Sequence, residues 1–188
     1  VEYVVQRTIT NKKEELEILE RDVSKLAPVK GEFPRIHYKE AVEIIKKENP
    51  DFVDGDDFGG ADETIISSQF EKPVMVHHYP TAIKAFYMKE EPKDATYSMS
   101  VDMLATEGYG EIIGGGQRED DLDIILRKIK EHDLDEKDFA WYNDIRKYGS
   151  FPHAGFGLGI ERTVAWICGL SHVRETIPFP RMYGRMYP

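Results

Sequence analysis

The stretch GFGLGIERT, residues 155–163, limits what this chain can fold into more than any other. Side chains alternate across a strand with period two, so as a strand it puts Gly155, Gly157 and Gly159 on one face. That face is a strip without side chains, on which a flat ring can lie, while Phe156, Leu158 and Ile160 are expected to pack on the other side. Arg162 then stands where a helix through TVAWICGL begins. A helix N-terminus offers free N–H groups and partial positive charge to phosphate, and a guanidinium there strengthens the site. The pattern differs from a dinucleotide fingerprint, because its glycines alternate and no acidic residue follows at the ribose spacing; no G-K-[ST] of a P-loop is present. Close packing of the strand on the helix is a competing explanation for the same glycines.

A second glycine run, EIIGGGQR (111–118), follows VDML (101–104) across the turn EGYG. Paired as a hairpin, the two runs turn Asp102 and Glu111 to one side. Two carboxylates and water suit Mg²⁺ that also holds phosphate oxygens. Gly114, Gly115 and Gly116 weaken a strand, which close approach of a ligand to the backbone explains. Arg118 can fork onto a planar acceptor. A tight bulged strand with solvated charges accounts for the same spacing.

The remaining pattern predicts α+β architecture: an antiparallel sheet flanked by helices. Leu16, Leu19, Val23 and Leu26 form one apolar stripe and predict a helix over 12–27. Further helices are predicted over 39–48, with Ala41, Val42, Ile44 and Ile45 inward, over 61–70, over 121–132 and over 138–147. FPRIHY (33–38) reads as a short strand or turn. VMVHHYP, AIKAFYMKE, TYSMSVDML and EIIGGGQR read as four β-rich runs. Regular βαβ alternation is missing, which excludes a Rossmann-type parallel sheet.

The 188 residues carry a net charge of −10, which argues against a main nucleic-acid surface here and leaves RNA open as a substrate gripped elsewhere. No apolar run reaches membrane-span length, no signal peptide is recognisable, and the single cysteine, Cys168, fits a reducing compartment. The expected location is the cytoplasm. Cys168 lies in the apolar run after Arg162 and reads as core. His77 and His78, adjacent on a strand, are expected to point to opposite faces and not to share a metal. His153 precedes the glycine strip and is a candidate nucleotide contact. Trp141 and Tyr142, at helical spacing with Phe139 and Ile145, read as core. Glu119, Asp120, Asp121 and Asp123 are expected to favour the first turn of their helix. Asp54, Asp56 and Asp57 lack the distal Glu of a calcium loop.

G-Φ-G-Φ-G-Φ-E-R before an apolar helix (Φ apolar) resembles motif 3 of class II aminoacyl-tRNA synthetases, here Gly155 to Arg162. VDMLATEGYGEIIGGGQRE and HYPTAIKAFYMKE resemble the aspartyl/asparaginyl branch, and IKAFYM with EGYGEIIGGGQRE looks most like the archaeal-type asparaginyl enzymes. The resemblance implies ATP and Mg²⁺ as substrate and cofactor, formation of an asparaginyl-adenylate, and transfer of asparagine to tRNA(Asn). By motif, it implies that Glu111 binds Mg²⁺ and ATP with Asp102 in support, and that Gly159, Ile160, Glu161 and Arg162 line the nucleotide, Arg162 on the γ-phosphate. Arg118 would meet the asparagine side chain, Tyr87 would border that pocket, and Gly114 stands where the aspartyl enzyme has a serine.

Motif 1, motif 2 and an anticodon-binding barrel are not found, so residues 1–188 are expected to be the C-terminal part of a catalytic domain. Its parent is expected to be a homodimer, and the segment alone is expected not to aminoacylate. Two alternatives share the motifs: an aspartate-activating paralogue, either an aspartyl-tRNA synthetase or an asparagine synthetase, and a non-catalytic synthetase-like binding module.

Overall fold

A computed structural model describes residues 1–187. Its centre is a five-stranded sheet in the order β1 (Arg35–His37), β2 (Val74–His77), β5 (Ser100–Ala105), β6 (Gly110–Gln117) and β7 (Ala154–Leu158). A second, two-stranded ribbon pairs β3 (Glu90–Glu91) with β4 (Asp94–Ser98). The sheet is mixed. β1 and β2 run parallel, and the other neighbours are antiparallel. Parallel strands need a crossover, here made by α3 (Tyr38–Ile45) and α4 (Gly60–Ser67).

Alternation along the central strands builds two cores. Val74, Val76 and Leu104 pack on one face with Tyr38, Ala41, Val42, Ile45, Phe58, Ile66 and Tyr79. Met103, Ala105 and Ile112 pack on the other with Val5 of α1 (Glu2–Asn11) and with Trp166 and Ile167 of α7 (Ile160–Cys168). Local chemistry fixes the helix ends. His37 and Glu40 form a capping box on α3. Asp121 caps α5 (Leu122–Glu131) by accepting from the amides of Asp123 and Ile124. Gly169, at φ 72°, ends α7 in the left-handed region.

Several expectations fail in physical ways. The helix predicted over 12–27 is α2 (Lys13–Ile18) only; Glu20 sits at φ 54°, and Val23–Lys25 is a separate 3₁₀ turn capped by Asp22. Leu16 and Leu26 are buried, whereas Leu19 and Val23 are exposed, so there is no continuous stripe. AIKAFYMKE is not a strand; it holds a 3₁₀ turn at Thr81–Ile83 and ends at β3. TYSMSVDML divides into β4 and β5 at Met99. Of the aromatic and apolar group expected as core, Trp141 and Ile145 of α6 (Ala140–Lys147) are exposed, whereas Tyr142, beneath the Arg146 guanidinium, and Phe139, against Phe86, are partly covered. Phe156 and Leu158 point away from the glycine strip, and Ile160 already belongs to α7; at 71%, 41% and 67% exposure the three do not form the expected core, because little among the described residues covers them. No helix among the described residues is long and apolar enough to cross a membrane.

Candidate active site

The register of β5, β6 and β7 builds a bare floor. Asp102 lies opposite Gly114, which lies opposite Gly157; one row further on, Ser100, Gly116 and Gly155 are aligned in the same way. A Cβ at Gly157 would meet nothing within 4 Å, so this part of the strip is open. Gly115 points to the opposite face, where a Cβ would fall 2.8 Å from the Phe156 Cα. The glycines therefore have two duties: Gly115 lets β6 and β7 approach, and Gly157 leaves a surface.

Glu111 and Asp102 meet across this floor. A Cβ at Gly114 would collide with the Glu111 carboxylate and lie 3.3 Å from Asp102 Oδ1. Burial, then the charge of Asp102, pushes the Glu111 carboxyl above its ordinary value. Burial also raises Asp102, although the Lys84 ammonium, 2.7 Å from its Oδ2, pulls the other way. Lys84 is itself 3.8 Å from the Tyr79 ring centroid. Two carboxylates kept apart from water and close to one another favour a cation between them. Among the described residues no group of three or more His, Cys, Asp or Glu is arranged to hold a metal.

Arg162 projects from the first turn of α7 and donates from Nη1 to the Glu111 carbonyl oxygen at 2.6 Å. Gly159 joins β7 to that helix, its amide donating to the Ile112 carbonyl. Glu161 is exposed on the same turn. The Ile160 side chain lines an apolar groove with Val1, Val4 and Val5 and turns away from the strip, so only its backbone is placed to meet a nucleotide.

At the other end of the strip Arg118 and Tyr87 stand together, the guanidinium 4.9 Å from the ring centroid. Arg118 Nη1 also reaches Met88 Sδ at 3.1 Å, and a Cβ at Gly155 would press on Nη2 at 3.2 Å. Buried polar groups hold this corner from behind. Lys128 Nζ donates to the Met88 carbonyl at 2.6 Å, the Glu119 amide donates to the Tyr87 carbonyl, and Arg146 donates to the Glu119 carbonyl. Glu119, expected to favour a helix dipole, is instead buried against Lys89; only Asp121 of that acidic group caps the helix.

The structure thus brings Asp102, Glu111, Gly114 and Arg162 to one end and Arg118 and Tyr87 to the other. Lys84 and Glu63, which the sequence reading did not single out, complete the first end. His153 turns its Nδ1 to the Phe151 carbonyl. His77 and His78 do not diverge: His78 lies beyond the strand at φ 59°, and the two Nδ1 atoms are 2.6 Å apart. Cys168 is half-buried beside the apolar groove.

The profile of the family described as tRNA synthetases class II (D, K and N) matches residues 1–183. The asparagine–tRNA ligase of Sorangium cellulosum is 57% identical over 99% of this chain and 44% of its own length. That of Desulforamulus reducens is 56% identical over the whole chain and, again, 44% of its own length. Among solved structures, asparaginyl-tRNA synthetase from Pyrococcus horikoshii complexed with asparaginyl-adenylate superposes with a TM-score of 0.97 at 49% identity, covering all of this chain and 43% of that one. Aspartyl-tRNA synthetase from Entamoeba histolytica superposes with a TM-score of 0.85 at 27% identity, covering 98% of this chain and 39% of that one. The chain spans less than half the length of the relatives it matches.

Proposed function

The chain belongs to the class II tRNA synthetases of the D, K and N group, and from that premise we propose that it is the part of an asparagine–tRNA ligase that holds ATP and the asparagine side chain. The observation that carries this reading is that the glycine floor has two unlike ends: a carboxylate pair with Arg162 at one, an arginine over a tyrosine at the other. The matches at 49–57% identity are asparagine-specific proteins, while Entamoeba histolytica enzymes of the two specificities match almost equally at 30% and 27%, so the high-identity relatives are what supports asparagine over aspartate.

In the proposed reaction the asparagine carboxylate attacks the α-phosphorus of ATP, pyrophosphate leaves, and asparaginyl-adenylate forms. The terminal ribose hydroxyl of tRNA(Asn) then displaces AMP from the acyl carbon. Arg162, exposed at the start of α7, neutralises the terminal phosphates. The strip of Gly155 and Gly157 admits the flat parts of the nucleotide and adenylate. Arg118 donates to the side-chain carbonyl of asparagine, a charge-assisted hydrogen bond worth about 1.5–3 kcal/mol, and Tyr87 closes that pocket. No acid–base residue is required, because stabilisation of phosphate charge dominates.

Glu111 and Asp102 would hold Mg²⁺, which supplies charge neutralisation at the phosphates. Lys84 occupies one Asp102 oxygen, so Glu111 is the principal ligand and Asp102 the supporting one. In this reading motif 2, not found in these 188 residues, supplies the remaining grip on ATP, and the active protein is a cytoplasmic homodimer. Asparagine-dependent exchange of pyrophosphate into ATP by the complete protein tests the reading. Exchange driven by aspartate instead would favour the paralogue.

A further inference from the structure

Glu111 is held at both ends of its own residue. Its carbonyl accepts from Arg162 at 2.6 Å, and its amide donates to Glu63 Oε2 at 3.1 Å. Glu63 comes from α4, 48 residues earlier, and that helix packs on β6. The backbone is shaped for this contact. The β5–β6 register slips between Met103 and Leu104, so that Ile113 faces Met103, Glu111 faces Leu104 and Ile112 has no partner on β5. Gly110 adopts φ 70°, and a Cβ there would collide with the Glu63 carboxylate. A bulge re-aims the side chains next to it, and here the residue re-aimed is Glu111.

We propose that Glu63 is a positioning residue for the nucleotide end of the site: by anchoring the Glu111 peptide, it sets the direction in which the Glu111 carboxylate faces Gly114 and Asp102. The inference rests on the function proposed above and deepens it. Glu63 touches neither the phosphates nor the metal; it acts through Glu111. Its carboxylate also lies near the Arg162 guanidinium, both beside the place a Cβ at Gly110 would take.

The test is the Mg²⁺ dependence of asparagine-driven pyrophosphate exchange in the complete protein, for wild type, Glu63→Gln, Glu63→Ala and Glu111→Gln, with melting temperatures of the same samples. Partners that orient metal ligands are typically worth about 10–100-fold in metal affinity or activity. Glu63→Ala is expected to raise the half-saturating Mg²⁺ concentration about tenfold. Glu63→Gln, which keeps an oxygen for the Glu111 amide, is expected to stay within about threefold of wild type. An unchanged Mg²⁺ midpoint in Glu63→Ala overturns the inference, including the case in which only its melting temperature falls. Glu111→Gln losing exchange while Glu63→Ala behaves as wild type contradicts this inference and leaves the function reading intact. Absence of asparagine-dependent exchange in the wild type contradicts both.

Discussion

Arg162 Nη1 lies 2.6 Å from the carbonyl oxygen of Glu111, joining the start of α7 to the strand that carries the half-buried Glu111 carboxylate. The contact spans 51 residues and places a cation and an anion on one edge of a floor made of glycine. It is also weakly held, because Arg162 is exposed.

That exposure separates binding from folding. Arg162→Ala is expected to change stability by no more than about 0.5 kcal/mol, the usual range for exposed positions. ATP·Mg²⁺ affinity is expected to fall at least tenfold, since a charged hydrogen bond contributes about 1.5–3 kcal/mol. Thermal melts and calorimetric titration of the same variant check both. A large drop in melting temperature would mean that the arginine is structural.

The neighbouring glycines should behave differently when given a methyl group. At Gly115 the new Cβ meets backbone, with Phe156 Cα 2.8 Å away, so Gly115→Ala pries β6 from β7 and costs about 1–3 kcal/mol or more. At Gly114 it meets the movable end of Glu111, so Gly114→Ala keeps the fold and displaces the carboxylate. Denaturant melts, paired with the Mg²⁺ dependence of exchange, distinguish the two. Equal destabilisation would contradict this division of duties.

Glu111 gives a pH signature. Burial, and then Asp102, raises its carboxyl in the folded protein above the ordinary value of 4.5. The folded state therefore binds this proton more tightly than the unfolded chain, and stability is lost as pH rises through the folded value. Glu111→Gln removes that loss. In the absence of Mg²⁺ the variant is expected to melt higher than wild type at pH 7, with the gap closing as pH falls towards 4.5. A variant that melts lower at pH 7 would show that Glu111 is not under electrostatic strain.

Phe156 tests the edge of the sheet. At 71% exposure it buries little in this chain, so Phe156→Ser is expected to shift stability by less than about 0.5 kcal/mol. Loss of several kcal/mol in a chemical melt would place the residue in a core.

Phe156 also shows where sequence reading stops. Period two put Phe156 and Leu158 on the face opposite Gly155 and Gly157, but it did not see that the strand ends at Leu158 and that Ile160 begins α7, and periodicity carries no information about what covers a face. Glu111, Arg118 and Arg162 could be picked out because each lies close to a glycine run whose spacing is unusual, and Asp102 because its run was expected to pair with that of Glu111. Glu63 and Lys84 were not, since nothing local marks them: Glu63 is one acidic residue on an ordinary helix, and Lys84 follows a 3₁₀ turn within a run that reads as a strand. Leu16 to Leu26 misled in another way. Their spacing suits a helix, yet the left-handed Glu20 breaks the chain and lets Leu26 reach a core that a continuous helix would not.

The central claim is that this glycine floor activates asparagine with ATP, and amino-acid-dependent exchange of labelled pyrophosphate by the complete protein tests it most directly. Asparagine is expected to drive exchange at least tenfold better than aspartate, a difference of about 1.4 kcal/mol or more, in line with the 56–57% identity to asparagine–tRNA ligases. Arg118→Ala should raise the half-saturating asparagine concentration, and Arg162→Ala that of ATP, at least tenfold each. Exchange driven by aspartate, or undiminished exchange in both arginine variants, would contradict the account.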